Sequence, residues 1–342
     1  MQYSRKRIDK AGQVLLTSKD AVEYEQALTI IDEWRQNHLP VLKMLESKLT
    51  KLFKEKGVKY LFTSQRLKRM TSIQDKLDKK PDMGLGGLND IGGLRYVFSD
   101  IESVYNALDV INKNPINGFE LLPRQYDYIK EPAKSGYRSI HMVFRCVSTD
   151  ERHQGLRVEL QLRTKLQHNW ATAVESGEVI THQALKNSEG PMEWLDFFKI
   201  ASALFSLEEN CPLREEYANL DANVLRNSLV DLEKNAKCMT MLAVFKSALQ
   251  LIENNDYDKD YYIIYVDYEK LVVNVSSFSI EQQVVASQQY NELEKKIETQ
   301  KNAVVLVSAA SLKDLREAYP SYFIDTTEFL EQIDTCLKTT IV

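Results

Sequence analysis

At 342 residues and 39.5 kDa the chain exceeds one compact core of ordinary size, so two domains, or one domain with a large appendage, are expected. With 44% hydrophobic and 27% charged residues it has a globular composition, which excludes wholesale disorder, collagen-like repeats and a disulfide-stapled miniprotein. The net charge of −5 averages unlike segments: residues 51–80 carry ten Lys/Arg against three Asp/Glu, residues 124–168 nine against five, and residues 251–342 eight against sixteen. An acidic tail region therefore masks two basic clusters, which need an anionic ligand or a solvated surface.

In chain order, residues 20–56 read as two amphipathic helices, with Ala27, Leu28, Ile31 and Trp34 on one stripe, a break at His38-Leu-Pro40, and Leu42, Leu45, Leu49 and Phe53 on the next. Residues 58–62 look like a strand, 71–80 like a helix and 93–98 like a second strand, followed by a helix over 101–114 capped by Ser99 or Asp100. Three more strands are expected at 119–122, 138–147 and 156–162, the last two alternating in polarity. The order α-α-β-α-β-α-β-β-β implies a mixed sheet with antiparallel pairing at its end. From Lys165 to about Asn254 the pattern is helical; a polar hinge over 254–260 then leads to strands at 261–265 and 271–275, a helix over 280–299, a buried strand at 303–307, and helices over 311–318 and 326–337. Cys146, Cys211, Cys238 and Cys336 lie far apart with no C-x-x-C pair and no His at zinc spacing, so core thiols are expected rather than a metal knuckle. No apolar run could span a bilayer, and a soluble, cytoplasmic protein is expected.

Four constellations could carry chemistry. Arg66, Lys68, Ser72 and Lys76 lead into a helix on which Ser72 and Lys76 share a face near the N-terminus, a fair polyphosphate clamp or a solvated basic face. Asn89-Asp90-Ile-Gly92-Gly93-Leu-Arg95 sets a carboxylate before a strand, two glycines that admit close approach, and an inward-reaching arginine, which suits a metal and phosphate site or a loop with a capping Asp. A Pro/Gly-bounded basic loop with Lys130, Lys134, Tyr137 and Arg138 runs into a strand carrying His141, a nucleotide pocket with a stacking ring or a buried tyrosine with a core histidine. Finally, Arg157, Glu159, Gln161 and Arg163 alternate with Val158, Leu160 and Leu162, an unusually polar face for an interior strand.

The series R-x-K-x-x-x-S-x-x-x-K, D-I-G-G-L-R, G-Y-R-S-I-H and V-E-L-Q-L-R-T followed by H-x-W-A, in this order, resembles the synthetase domain of the RelA/SpoT family, which makes the alarmones ppGpp and pppGpp. The resemblance covers about residues 40–180 and implies a nucleotidyltransferase-like mixed β-sheet flanked by helices; with the helical segment and the small C-terminal α/β domain read from the patterning above, the expected fold class is α/β (α+β). The expected divisions are an N-terminal helical segment at 1–39, the synthetase domain at 40–183, the helical segment at 184–255 and the acidic domain at 256–342. The implied reaction moves the pyrophosphoryl group of ATP to the 3′-hydroxyl of GDP or GTP. By resemblance Asp90 is a Mg²⁺ ligand and Glu159 a second ligand or the proton acceptor. Arg66 and Arg95 sandwich the adenine, and Lys68, Ser72 and Lys76 hold the ATP phosphates. Tyr137 stacks on the guanine, Lys130, Lys134, Arg138 and His141 contact phosphates, and Gln161 and Arg163 support the site on the guanosine side.

Two departures stand out. Pro132-Ala133-Lys134 displaces the family's lysine by one residue, leaving Lys130 and Lys134 as alternatives. Tyr126 in Arg124-Gln-Tyr126-Asp127 replaces a lysine, so GDP and GTP both remain open as acceptors. No His-Asp hydrolase motif precedes the synthetase motifs, so synthesis without hydrolysis is expected. Homo-oligomers are expected from small relatives, and no membrane partner. The alternatives are a toxin-type relative acting on the tRNA 3′ end or on adenine nucleotides, and a nucleotide sensor without turnover.

Overall fold

The computed structural model describes residues 4–68, 70–80, 82–181, 183–254, 260–267, 272–296, 302–308 and 322–338. Its contacts divide the chain into two compact units, Met1–Tyr128 with Ser139–Lys165, and Ile129–Arg138 with Leu166–Val342. The boundaries expected at 183 and 255 both fall inside the second unit.

The first unit opens with three helices, α1 (Arg5–Thr17), α2 (Ala21–Gln36) and α3 (His38–Lys56). Ser4 and Asp20 cap the first two through their side chains, and Gly57, at φ 71°, ends the third in the left-handed region that glycine enters without cost. Pro40 sits in the first turn of α3, where its missing N–H costs nothing, so the expected break falls between α2 and α3 at Asn37. Helix α1 falls within the helical segment expected at 1–39, although its apolar face, Ile8, Ala11, Gly12 and Leu15, is too sparse to show as a stripe.

Strands β1 (Phe62–Leu67), β2 (Gly92–Phe98), β3 (Phe119–Leu121), β4 (Tyr126–Asp127), β5 (Ile140–Cys146) and β6 (Arg157–Thr164) form one mixed sheet of order β1-β2-β6-β5-β3, with β4 also pairing β5. Only β2 and β6 pair in parallel. Helix α4 (Met70–Asp78) lies between β1 and β2, and α5 (Ile101–Lys113), capped by Asp100, between β2 and β3. The mixed sheet with helices is as expected, but β1 begins where the expected strand at 58–62 ends. Its polar sequence, Thr63, Ser64, Gln65 and Arg66, hid it, because an edge strand facing a polar site needs no apolar alternation.

The period of two sorts the sheet into faces. Leu94, Tyr96 and Phe98 of β2, Val158, Leu160 and Leu162 of β6, and Ile140, Met142 and Phe144 of β5 are all buried. Against this face pack Leu42, Leu45, Leu49 and Phe53 of α3, with the Phe53 ring edge-on to Tyr96 at 5.1 Å. The opposite face carries the polar residues.

In the second unit, α6 (Lys165–Thr181), α7 (Met192–Glu208), α8 (Ala222–Ala236), α9 (Cys238–Asn254) and α11 (Tyr322–Lys338) share one core. Helix α7 is apolar nearly all round, with Trp194, Phe197, Phe198, Ala201, Leu204 and Phe205 buried, as a central helix must be. Phe329 of α11 lies among Phe197, Phe198 and Phe205. A small antiparallel sheet, β8 (Val272–Phe278), β7 (Tyr261–Asp267) and β9 (Asn302–Ser308) in that order, turns Tyr262 and Ile264 toward this core and Ile263 toward α10 (Gln283–Glu294). The helix expected over 280–299 appears as a single 3-10 turn, Ile280–Gln282, followed by α10. The helix expected over 311–318 and most of the hinge over 254–260 lie outside the described residues. Cys146, Cys238 and Cys336 are buried and all four cysteines are free, as core thiols should be. Among the described residues no helix is long and apolar enough to cross a membrane.

Candidate active site

Strand register assembles the polar face of the first sheet. Arg66 stands opposite Gly93, and Gly93 opposite Glu159; in the next row Ser64, Arg95, Gln161 and His141 follow one another across β1, β2, β6 and β5. The row is hydrogen-bonded: Arg95 Nε donates to Gln161 Oε1 at 3.3 Å, Gln161 Nε2 donates to Glu159 Oε2 at 2.7 Å, and His141 Nδ1 lies 3.1 Å from Glu159 Oε1. Both Glu159 oxygens are thus held in place. Burial opposes its ionisation, but His141 and the hydrogen bonds outweigh burial and keep the carboxyl below its usual range.

The two glycines of Gly92-Gly93 perform different tasks on opposite faces. A β-carbon on Gly92 would come within 3.2 Å of His38 Cβ and Leu42 Cδ1, so its bareness lets α3 approach the sheet. A β-carbon on Gly93 would meet nothing closer than Arg66 Cγ at 3.6 Å, so its bareness keeps the polar face open beside Glu159.

Asp90 precedes β2. The β1–β2 ladder carries Lys68 to it: Leu67 pairs with Gly92, the Lys68 N–H donates to Ile91 O at 2.8 Å, and Lys68 Nζ reaches Asp90 Oδ2 at 3.0 Å. Lys76 of α4 donates to the same oxygen at 2.8 Å, while Asp90 Oδ1 is buried without a hydrogen-bond partner. Burial would raise the carboxyl, yet the two ammonium groups bring it down to about 2. Lys68 is itself pushed below its ordinary range, by burial against the pull of Asp90. Ser72 lies one turn before Lys76 on α4, the shared face that spacing implied. The charges of Asp90 and Glu159 act on one another across this face.

The remaining expected residues divide differently. Arg163 ends β6 and is 2% exposed. Lys130, Lys134, Tyr137 and Arg138 belong to the second unit. There Tyr137 packs against the helical core, 6.3 Å from the Trp170 ring. Arg138 is 2% exposed and its Nη1 donates to Glu209 Oε2 at 3.0 Å. Glu209 therefore already lies against the guanidinium from which a phosphate contact is expected. Sequence reasoning did not find Glu209, nor Glu46, which accepts hydrogen bonds from Thr63 and Gln65 of β1, nor the pairing of Asn89, which accepts from Arg157. All three are partners from distant segments, for which local spacing holds no signal.

Two fixed carboxylates, one with an unsatisfied buried oxygen, thus stand beside lysines and arginines on one polar sheet face. Residues 65–179 match the family model described as "Region found in RelA / SpoT proteins". A "Probable GTP diphosphokinase" of Oryza sativa subsp. japonica is 37% identical over 146 residues, 37% of this chain and 19% of the plant protein. The chain thus spans only a small part of the plant relatives it matches. The GTP pyrophosphokinase YwaC of Bacillus subtilis (strain 168) is 28% identical over 161 residues, 42% of this chain and 74% of that protein. Among solved structures, small alarmone synthetase 2 from Bacillus subtilis aligns with a TM-score of 0.42 at 25% identity, over 51% of this chain and 94% of that one.

Proposed function

We propose that the RelA/SpoT region transfers the β,γ-pyrophosphoryl group of ATP to the 3′-hydroxyl of GDP or GTP, giving ppGpp or pppGpp. The observation that carries this reading is Asp90, ionised and half satisfied, facing Glu159 over a sheet face lined with cations. In the transfer the acceptor 3′-oxygen bonds to the ATP β-phosphorus, the bond to the α,β-bridging oxygen breaks, AMP leaves and the hydroxyl proton passes to Glu159. Little covalent chemistry falls to the protein; positioning and charge neutralisation do the work.

The carboxylates fit Mg²⁺, which takes one or two of them and completes its shell with water and phosphate oxygens. Asp90 and Glu159 would hold it, and when bound it would neutralise charge on the transferring phosphoryl oxygens. Lys68, Ser72 and Lys76 would hold the ATP phosphates, with Arg66 and Arg95 stacking on the adenine. Lys130, Lys134 and Tyr137 would receive the guanosine nucleotide, and His141, Gln161 and Arg163 would keep Glu159 and its strand in place.

The test is incubation of the full chain with γ-³²P-ATP and Mg²⁺, separately with GDP, GTP, ATP and deacylated tRNA. Label on the guanosine nucleotides is expected. Label on tRNA or adenine nucleotides alone, or on no acceptor, sinks the proposal.

A further inference from the structure

Residues 129–138 form a turn closed on itself. Gly136, at φ 88°, donates its N–H to Ala133 O at 2.8 Å, and Ala133 N–H donates to Tyr137 O at 3.1 Å. Three side chains from beyond residue 179, outside the segment that the family model matches, fasten this turn within the second unit. Ser202 Oγ of α7 donates to Gly136 O at 2.5 Å, Arg214 Nη1 donates to Pro132 O at 3.1 Å, and Glu209 Oε2 accepts from Arg138 Nη1 at 3.0 Å and from Gln167 Nε2 at 3.1 Å. The fit is close as well as polar. A β-carbon on Gly136 would lie 3.0 Å from Ser202 Cβ and 3.3 Å from Lys199 Cα, so the positive φ and the missing side chain are both required. The Arg138 and Glu209 side chains are 2% and 7% exposed, so each lowers the cost of burying the other's charge.

The three attachments fall at the fourth, eighth and tenth positions of a ten-residue loop. A loop fixed so often loses little freedom when it binds, and that saving appears as affinity. We infer that Ser202, Glu209 and Arg214 are positioning residues for the acceptor: they set the loop from which Lys130, Lys134 and Tyr137 engage the guanosine nucleotide. The inference rests on the proposed reaction for its ligand, though not for its geometry. It gives the stretch 192–214 a task that no motif in it announces.

The experiment compares Ser202→Ala, Arg214→Ala and Glu209→Gln with the wild type in the full chain, by transfer kinetics and by hydrogen exchange of the amides of Ala133 and Gly136. The KM for GDP or GTP is expected to rise about tenfold, as for one lost hydrogen bond to a charged or preorganised group, with the KM for ATP unchanged. The two amides should exchange about tenfold faster, since they report loop opening. Ser202→Ala and Arg214→Ala leave no buried charge alone, so they carry the test if Glu209→Gln does not fold. Folded variants with unchanged acceptor KM and unchanged exchange overturn the inference. Equal losses for ATP and acceptor also overturn it, by showing a general structural role. A wild type that transfers to no acceptor overturns the proposed reaction instead, and the exchange rates then still decide whether these side chains hold the loop.

Discussion

Two lysines spend their charge on a single oxygen of Asp90 while the other oxygen stays buried and unsatisfied, an arrangement that has a cost in the absence of a further partner. Asp90→Asn removes the negative charge that any cation would need and leaves Lys68 and Lys76 facing each other. Transfer should fall at least about a thousandfold, as losses of directed electrostatic stabilisation do, while GDP binding measured by titration stays within about twofold. Near-normal turnover in this variant would show that the carboxylate has another purpose. At this scale the sequence was informative wherever residues lie close along one strand: Arg157, Glu159, Gln161 and Arg163 were placed on one face by a period of two, and that face is where they are. It was uninformative about partners. Nothing in the neighbourhood of Arg138 says that Glu209, 71 residues away, neutralises it.

Elements explain why the site stays open and the sheet stays covered. Gly92→Ala would drive a methyl into α3 and should cost about 1–3 kcal/mol, as overpacking does, read as a lowered urea midpoint. Gly93→Ala should leave stability within about 0.5 kcal/mol, since its β-carbon meets only ordinary contact, yet lower the rate of transfer by intruding beside Glu159. If both variants melt alike, the division of labour between these glycines is wrong. Helix α3 carries a second test. His38, 1% exposed, lies 2.9 Å through Nδ1 from Trp34 O and edge-on to the Trp34 ring, and burial pushes its pKa down to about 4. The unfolded chain, with an ordinary histidine, takes up a proton first as pH falls, so the folded state loses stability from pH about 6.5 down to about 4, by about 3 kcal/mol in all. In His38→Gln that loss should be absent, and the gap between the two proteins should narrow on acidification; a constant gap would refute the assignment. Elements with a strong stripe, α2, α3 and α5, were legible, although α3 starts at His38, inside the break expected at 38–40. Strand β1 was not, because it faces a polar site, and helix α1 was legible only as part of a helical segment at 1–39, since its buried face is just Ile8, Ala11, Gly12 and Leu15.

Across the molecule, composition predicted an acidic partner region for a basic one, and the fold draws its line elsewhere. The second unit takes in the loop 129–138 from the middle of the sequence, together with α6 and everything beyond it. No periodicity could have revealed this, since membership depends on contacts between positions tens of residues apart. The core that results is continuous from Tyr137 and Trp170 through α7 to Phe329 of α11, which is also tied to α6 by Asn169 Nδ2 donating to Glu328 Oε2 at 3.1 Å.

Contacts at equilibrium act in both directions. If Ser202, Glu209 and Arg214 favour the conformation of the loop that takes a nucleotide, then a nucleotide on the loop favours their own arrangement by the same free energy. Saturating acceptor should thus protect helix α7 against unfolding in proportion to the logarithm of its concentration. A stretch with no motif of its own becomes, by reciprocity, a gauge of how full the loop is.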